Sequence, residues 1–173
     1  MTLFGLGAGW DLFLVNIICY VVFVVVRRHV DVWLPDRFFD PRRRRFRSAA
    51  WERDGEFYRD ILKIDRWKDD LPCLTPLTGF SKKTILGLRS EYLERFVMET
   101  CRAESNHVSA IVFVMLMRAW TPSGLWWLCF VIAVFGNVPF ICIQRYNRPR
   151  LLRTLEGIGA RHPDQRGEIA ATA

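Results

Sequence analysis

The chain has 173 residues, 51% of them hydrophobic and 25% charged, with a formal net charge of +7 and a sequence pI near 9.5. Its apolar residues are gathered into blocks instead of being spread periodically, so a mean hydropathy of +0.08 hides a membrane phase and an aqueous phase. Positive charge of this size suits nucleic acid, anionic lipid or a phosphorylated substrate; three membrane-grade blocks make nucleic acid the poorest of these.

The first block runs from Trp10 to Val26 and stops at Arg27-Arg28. A secretory signal carries its positive charge before the apolar run, whereas residues 1–9 contain no Lys or Arg, so the block reads as a retained span. After the run Arg42 to Arg45 comes WERDGEFYRDILKIDRWKDDLP, where Phe57, Ile61, Ile64, Trp67 and Leu71 recur at three- and four-residue steps. That spacing predicts an amphipathic interfacial helix with Trp51, Tyr58 and Trp67 at headgroup level. The arginine run suits an anionic leaflet at about 1 kcal/mol per charge, or simply sets orientation. Pro72 to Gly79 reads as a loop, and Ser81 as a cap before KKTILGLRSEYLERFVMET, weakened by Gly87.

From Ser90 the pattern predicts one long helix, SEYLERFVMETCRAESNHVSAIVFVMLM, that starts in water and ends in the membrane. Its apolar part, Val108 to Met117, is too short to cross roughly 30 Å of hydrocarbon. The helix must recruit the polar ETCRAESNH stretch and pair as a hairpin with the third block across Trp120 to Gly124. That third block, from Gly124, carries Asn137 and Pro139 near its end and runs straight into Gln144, Arg145, Tyr146, Asn147, Arg148, Pro149 and Arg150. An amide at membrane depth is costly without a partner, which makes this segment look like the wall of a site.

If the three spans alternate, only Arg118 of the 25 basic residues faces outward. The expected fold is therefore an all-α membrane protein, one membrane domain over residues 1–173 with three transmembrane helices at about 10–26, 105–120 and 124–143. A cytoplasmic amphipathic segment would cover 27–104 and a cytoplasmic tail 144–173. The five cysteines, Cys19, Cys73, Cys101, Cys129 and Cys142, form no CxxC pair, and no structural disulfide is expected.

Glu99, Arg102, Ala103, Glu104 and His107 place two carboxylates, a guanidinium and an imidazole on neighbouring helix faces. One reading is a surface ion pair with a snorkelling His107; the other is a functional site, the default for ionisable groups entering a bilayer. Glu104 and His107 have ExxH spacing, but a di-metal bundle needs a second such motif, so no metal is expected. Counted from the cytoplasmic boundary, His107 and Asn137 lie at similar depth, with QRYNRPR as an anion trap at the mouth. A general base, a polarising donor and a basic collar suit group transfer to a lipid-borne acceptor.

WKDDLP, YLERFVMETCRAESNH and NVPFICIQRYNRPRL together resemble the glycosyl-4,4'-diaponeurosporenoate acyltransferase family of staphyloxanthin-type carotenoid biosynthesis, over about Leu34 to His162. The resemblance implies transfer of a fatty acyl group onto a sugar hydroxyl of a membrane-embedded glycosylated terpenoid. It implies motif residues Trp67, Lys68, Glu99, Arg102, Ala103, Glu104, His107, Asn137, Pro139 and Gln144 to Arg150. Ser105-Asn106 and the Arg42 to Arg45 run depart from the pattern and leave the acceptor open to another glycolipid.

Both lines fit direct attack on an acyl thioester, with His107 as base, held by Glu104 or Glu99, and Asn137 or Arg102 donating to the oxyanion. Arg145, Arg148 and Arg150, with Tyr146, Asn147, Trp67 and Lys68, would hold the donor, a coenzyme A or acyl-carrier-protein thioester acting as co-substrate; no bound cofactor is called for. Cys101 has no basic neighbour that clearly lowers its pKa and reads as packing. The expected partners are an anionic leaflet and the lipid-borne glycosylated acceptor. Two rivals are a small methyltransferase of the isoprenylcysteine-carboxyl type, whose paired glutamates are missing here, and a non-catalytic subunit that docks on lipid. The topology carries its own test: an impermeant thiol reagent on intact cells is expected to leave Cys73 unlabelled until lysis, and strong labelling beforehand would invert the orientation.

Overall fold

A computed structural model of the chain describes residues 7–71 and 90–161. The expected Pro72 to Gly79 loop, Cys73, the Ser81 cap, Lys82, Lys83 and Gly87, and the tail beyond 161, lie outside the described residues. Every regular element among the described residues is helical: α1 (Ala8–Trp33), α2 (Glu56–Asp60), α3 (Ser90–Leu116) and α4 (Ser123–Arg161), with short 3-10 turns at Asp36–Phe39, Ala50–Gly55, Ile64–Arg66 and Met117–Ala119. The chain divides into two compact units, one of residues 1–38 and 102–142, the other of 39–101 and 143–173.

Two helices are long and apolar enough to cross a membrane, Gly9–Trp33 and Ser123–Ile158. α1 ends where Leu34 turns extended, φ −76° and ψ 132°, ahead of Pro35, whose ring disfavours helical backbone in the preceding residue. α4 does not end at the expected boundary of 143. It continues unbroken through Pro139 and Pro149 to Arg161, so the segment read as a tail begins as helix. The predicted long helix from Ser90 is present as α3, 27 residues that pass from charged to apolar sequence. Its composition keeps it out of the two apolar spans.

The first unit is held by side chains that fix helix direction. Asn16 of α1 donates to Thr121 at 3.1 Å, Phe23 stacks on Phe113 at 4.2 Å, and Arg27 donates to Ser105 at 3.1 Å. As residue number rises along α1 it falls along its partner, so α1 and α3 are antiparallel. Trp126 of α4 donates to the Val114 carbonyl at 2.9 Å while His107 meets Asn137 at the same separation, 2.9 Å, so α3 and α4 are antiparallel as well. Val114, Met117 and Ala133 form the core, with Cys19, Tyr20, Phe113, Trp126, Cys129 and Phe130 against it. The outward faces are also apolar: Val22 and Ile132 are 54% exposed and Phe135 76%, a surface that suits hydrocarbon better than water.

The second unit corrects one expectation. The stretch 51–71 is not a continuous amphipathic helix but a series of turns around the five-residue α2. Arg53, Asp54, Gly55 and Lys63 all have positive φ, which stops a right-handed helix at each place. Gly55 is required where it stands, since at φ +96° an added Cβ would lie 3.2 Å from the Tyr146 carbonyl oxygen. The turns separate residues that the helical spacing placed together. Ile64 is fully buried with Phe39, Phe46, Tyr58, Leu93 and Val97, whereas Ile61 is 66% exposed.

Candidate active site

In the first unit, three helices bring three polar side chains together in apolar surroundings. Asn137, 6% exposed on α4, donates through Nδ2 to the Ala133 carbonyl at 2.7 Å and to the Tyr20 hydroxyl of α1 at 3.1 Å. Both amide hydrogens are thereby used, so the oxygen faces the third partner, Nδ1 of His107, at 2.9 Å. A carbonyl oxygen can only accept, so Nδ1 carries the proton and Nε2 carries the lone pair. The imidazole plane is set separately, by stacking on Phe140 at 4.9 Å and 6°. This is the tautomer that a general base acting through Nε2 requires.

The sequence offered Asn137 or Arg102 to the oxyanion and a carboxylate, Glu104 or Glu99, to His107. The geometry gives Nδ1 of His107 to Asn137 instead, and spends both Asn137 amide hydrogens within the protein. Glu104 is buried, one turn before His107, and Glu99 is half-buried in the second unit. Arg102 forms an ion pair with Asp36 while keeping 26% of its side chain exposed. Tyr20 was missed because it is a single hydroxyl at the head of an apolar run, YVVFVVV, with no periodic signal.

The QRYNRPR stretch falls in the second unit, on α4. Arg148 is 2% exposed. Its Nε donates to the Thr100 hydroxyl at 3.0 Å, Nη1 to the Phe46 carbonyl at 2.8 Å and Nη2 to the Thr100 carbonyl at 3.1 Å. Arg145 donates to both Glu52 oxygens at 2.8 and 2.9 Å and to the Arg45 carbonyl at 2.9 Å. Tyr146 donates to Asp65 at 2.6 Å, and Arg150 donates to the Tyr146 hydroxyl while lying 4.8 Å from its ring centre. Arg145 and Arg148, expected to grip donor phosphates, are engaged by the protein itself; a guanidinium keeps its charge when buried, so its donors must be matched like this. Arg150 is different, with 54% of its side chain exposed. Asn147 is half-buried, Trp67 donates to the Leu62 carbonyl at 2.9 Å, and Lys68 pairs with Asp69 at 2.8 Å.

Glu52, which the sequence did not single out, is the hub of this unit. Burial alone would raise its carboxyl, but the Tyr58 hydroxyl, the Ala49 backbone N–H and Arg145 together hold it below the ordinary value of 4.5. A shallow recess opens beside it, lined by Phe46, Ser48, Glu52, Arg145, Arg148 and Pro149.

Two outcomes follow for this unit. Arg148→Lys keeps the charge but cannot reach Thr100 and Phe46 with one planar fork, so it is expected to destabilise the protein by about 3 kcal/mol, read as a lower melting temperature in detergent. Unchanged melting with a raised demand for acyl donor would return Arg148 to ligand binding. Because the Glu52 pKa is depressed on folding, its contribution to stability is complete above pH 4.5 and is lost as pH falls through the lower folded value. Glu52→Gln is expected to flatten the acid limb of stability against pH; an identical acid limb would show that Glu52 titrates alike in both states.

Comparison with known proteins places the chain. Residues 36–157 match the family model for glycosyl-4,4'-diaponeurosporenoate acyltransferase. Relatives of that name from Staphylococcus aureus strains bovine RF122 / ET3-1 and USA300 are 28% identical over 152 residues, covering 83% of this chain and 92% of theirs. No solved structure matches the chain. The matched stretch contains His107, Asn137 and the whole QRYNRPR motif, and with more than half its length inside that match the chain belongs to the glycosyl-4,4'-diaponeurosporenoate acyltransferase family.

Proposed function

We propose that this chain is a membrane O-acyltransferase that moves a fatty acyl group from a thioester, on coenzyme A or acyl carrier protein, to a sugar hydroxyl of a glycosylated carotenoid or a related glycolipid. Family membership supports the reaction class. The observation that carries the mechanism is the 2.9 Å contact of His107 Nδ1 with the Asn137 oxygen, since it leaves Nε2 as the basic nitrogen.

In this mechanism Nε2 of His107 takes the proton of the sugar hydroxyl as its oxygen bonds to the acyl carbonyl carbon. The tetrahedral oxyanion collapses with cleavage of the carbon–sulfur bond, and the departing thiolate takes the proton back from the imidazolium. The products are an ester and a free thiol, and no covalent enzyme intermediate is needed. Arg102, on the same helix as His107, is the proposed oxyanion donor in place of Asn137. Glu104, buried one turn away, stabilises the imidazolium as it forms.

Donor binding falls to groups that the fold leaves accessible. Arg150, half exposed, is the proposed phosphate contact, with Asn147, Trp67 and Lys68 beside it in the motif set, while Arg145, Tyr146 and Arg148 shape the ground on which it stands. The antiparallel course of α1, α3 and α4 supports three crossings with the basic segments on the cytoplasmic face of an anionic leaflet. His107→Ala is expected to lower product formation by about 10²- to 10⁴-fold while the protein still inserts. Mass spectrometry of lipid extracts, scoring the added acyl chain on the glycosylated acceptor, measures it. Activity within a few-fold of the unsubstituted protein would remove His107 from the chemistry.

A further inference from the structure

Tyr20 lies outside the residues matched by the family, 36–157, on a helix whose sequence looks like a plain anchor. Its ring rests against the Val114, Met117 and Ala133 core, and its hydroxyl oxygen accepts from Asn137 Nδ2 at 3.1 Å. Asn137 has one other Nδ2 partner, the Ala133 carbonyl at 2.7 Å. That carbonyl belongs to the same helix one turn earlier and moves with Asn137. The Tyr20 hydroxyl belongs to α1, so it ties the amide to a second helix.

We infer that Tyr20 is a positioning residue for the acyl transfer: through Asn137 it fixes the rotamer of the amide, and thereby the tautomer and in-plane rotation of His107. The inference rests on His107 serving as the base. A flipped Asn137 would point its oxygen at the Ala133 carbonyl, so one orientation survives and His107 Nδ1 must donate to it, while the Tyr20 hydroxyl keeps the amide from turning out of that plane. Phe140 controls the tilt of the imidazole but not its spin, because stacking at 6° is indifferent to rotation within the plane. Hydrogen bonding in that plane supplies what stacking lacks. Without the hydroxyl, a buried N–H of Asn137 loses its partner, the amide samples other rotamers, and the neutral imidazole is free to place its proton on Nε2, where it is useless as a base.

Tyr20→Phe keeps the ring in the core and removes only the oxygen. It is expected to lower kcat about tenfold, the loss of one buried hydrogen bond, with KM for donor and acceptor unchanged. In the Asn137→Ala background the same substitution should cost little further, because the route through the amide is already cut. An independent readout is the ¹⁵N spectrum of protein labelled at its three histidines, with the His107 signals identified by their absence in His107→Ala. Neutral His107 should appear as the Nδ1–H form in the unsubstituted protein and as mixed tautomers in Tyr20→Phe. Unchanged kcat and an unmixed tautomer in Tyr20→Phe would overturn the inference, as would an equal loss in both backgrounds, which marks a packing effect. Full activity in His107→Ala would bring down the base assignment itself, a separate result from either.

Discussion

A polar side chain buried among apolar helix faces has no water to turn to, and this constraint organises the first unit. Asn16 accepts from Trp120 at 3.1 Å while donating to Thr121, Trp126 reaches the Val114 carbonyl, and Asn137 uses its oxygen and both hydrogens. Apolar contacts alone would let three such helices slide and rotate, since one valine-rich face packs against leucine or phenylalanine in many registers. Each amide or indole has few acceptable positions, so a handful of them sets the register of α1, α3 and α4. Function inherits that register. Asn137 and His107 meet because the helices are not free to shift by a turn.

A related constraint governs the second unit, with charge in place of amides. Arg148 and Glu52 are buried almost completely, and an unmatched charge at such a place costs several kcal/mol. Thr100, Phe46, Ala49, Tyr58 and Arg145 provide the matching groups, most of them backbone or hydroxyl. The irregular stretch 39–66 therefore does not need helical hydrogen bonding to be well determined. Its Arg45 and Phe46 carbonyls are acceptors for Arg145 and Arg148 of α4.

How much of this was legible depended on whether the signal was local. The 27-residue α3 was readable because apolar and charged residues change over along one unbroken helical pattern, and the nearness of His107 to Asn137 followed from counting helical rise from a common boundary. The stripe from Phe57 to Leu71 misled, because periodicity records spacing and is blind to a left-handed residue such as Lys63 that resets the phase. α4 runs past the expected span boundary of 143 with Pro139 and Pro149 inside it, since helices accept proline where neighbours re-satisfy the backbone. The arginines of QRYNRPR were read by charge, and charge does not distinguish a phosphate from Glu52 and a carbonyl cage. Partners such as Tyr20 and Thr100 were beyond reach, since their importance lies in a residue more than 40 positions away.

The choice of an amide to hold His107 has a physical consequence. In the Ser-His-Asp triad a buried carboxylate is the partner of Nδ1 and stabilises the imidazolium that forms. An amide oxygen accepts the Nδ1 proton as a carboxylate would, but brings no charge of its own into the apolar surroundings. Asn137 supplies the same orientation without a charge. In the proposed mechanism the imidazolium exists only between proton abstraction and its return to the thiolate, with the buried Glu104 one turn away as counter-charge. A neutral orienting group next to a transient cation suits a reaction in which the net proton count of the site is the same before and after each turnover.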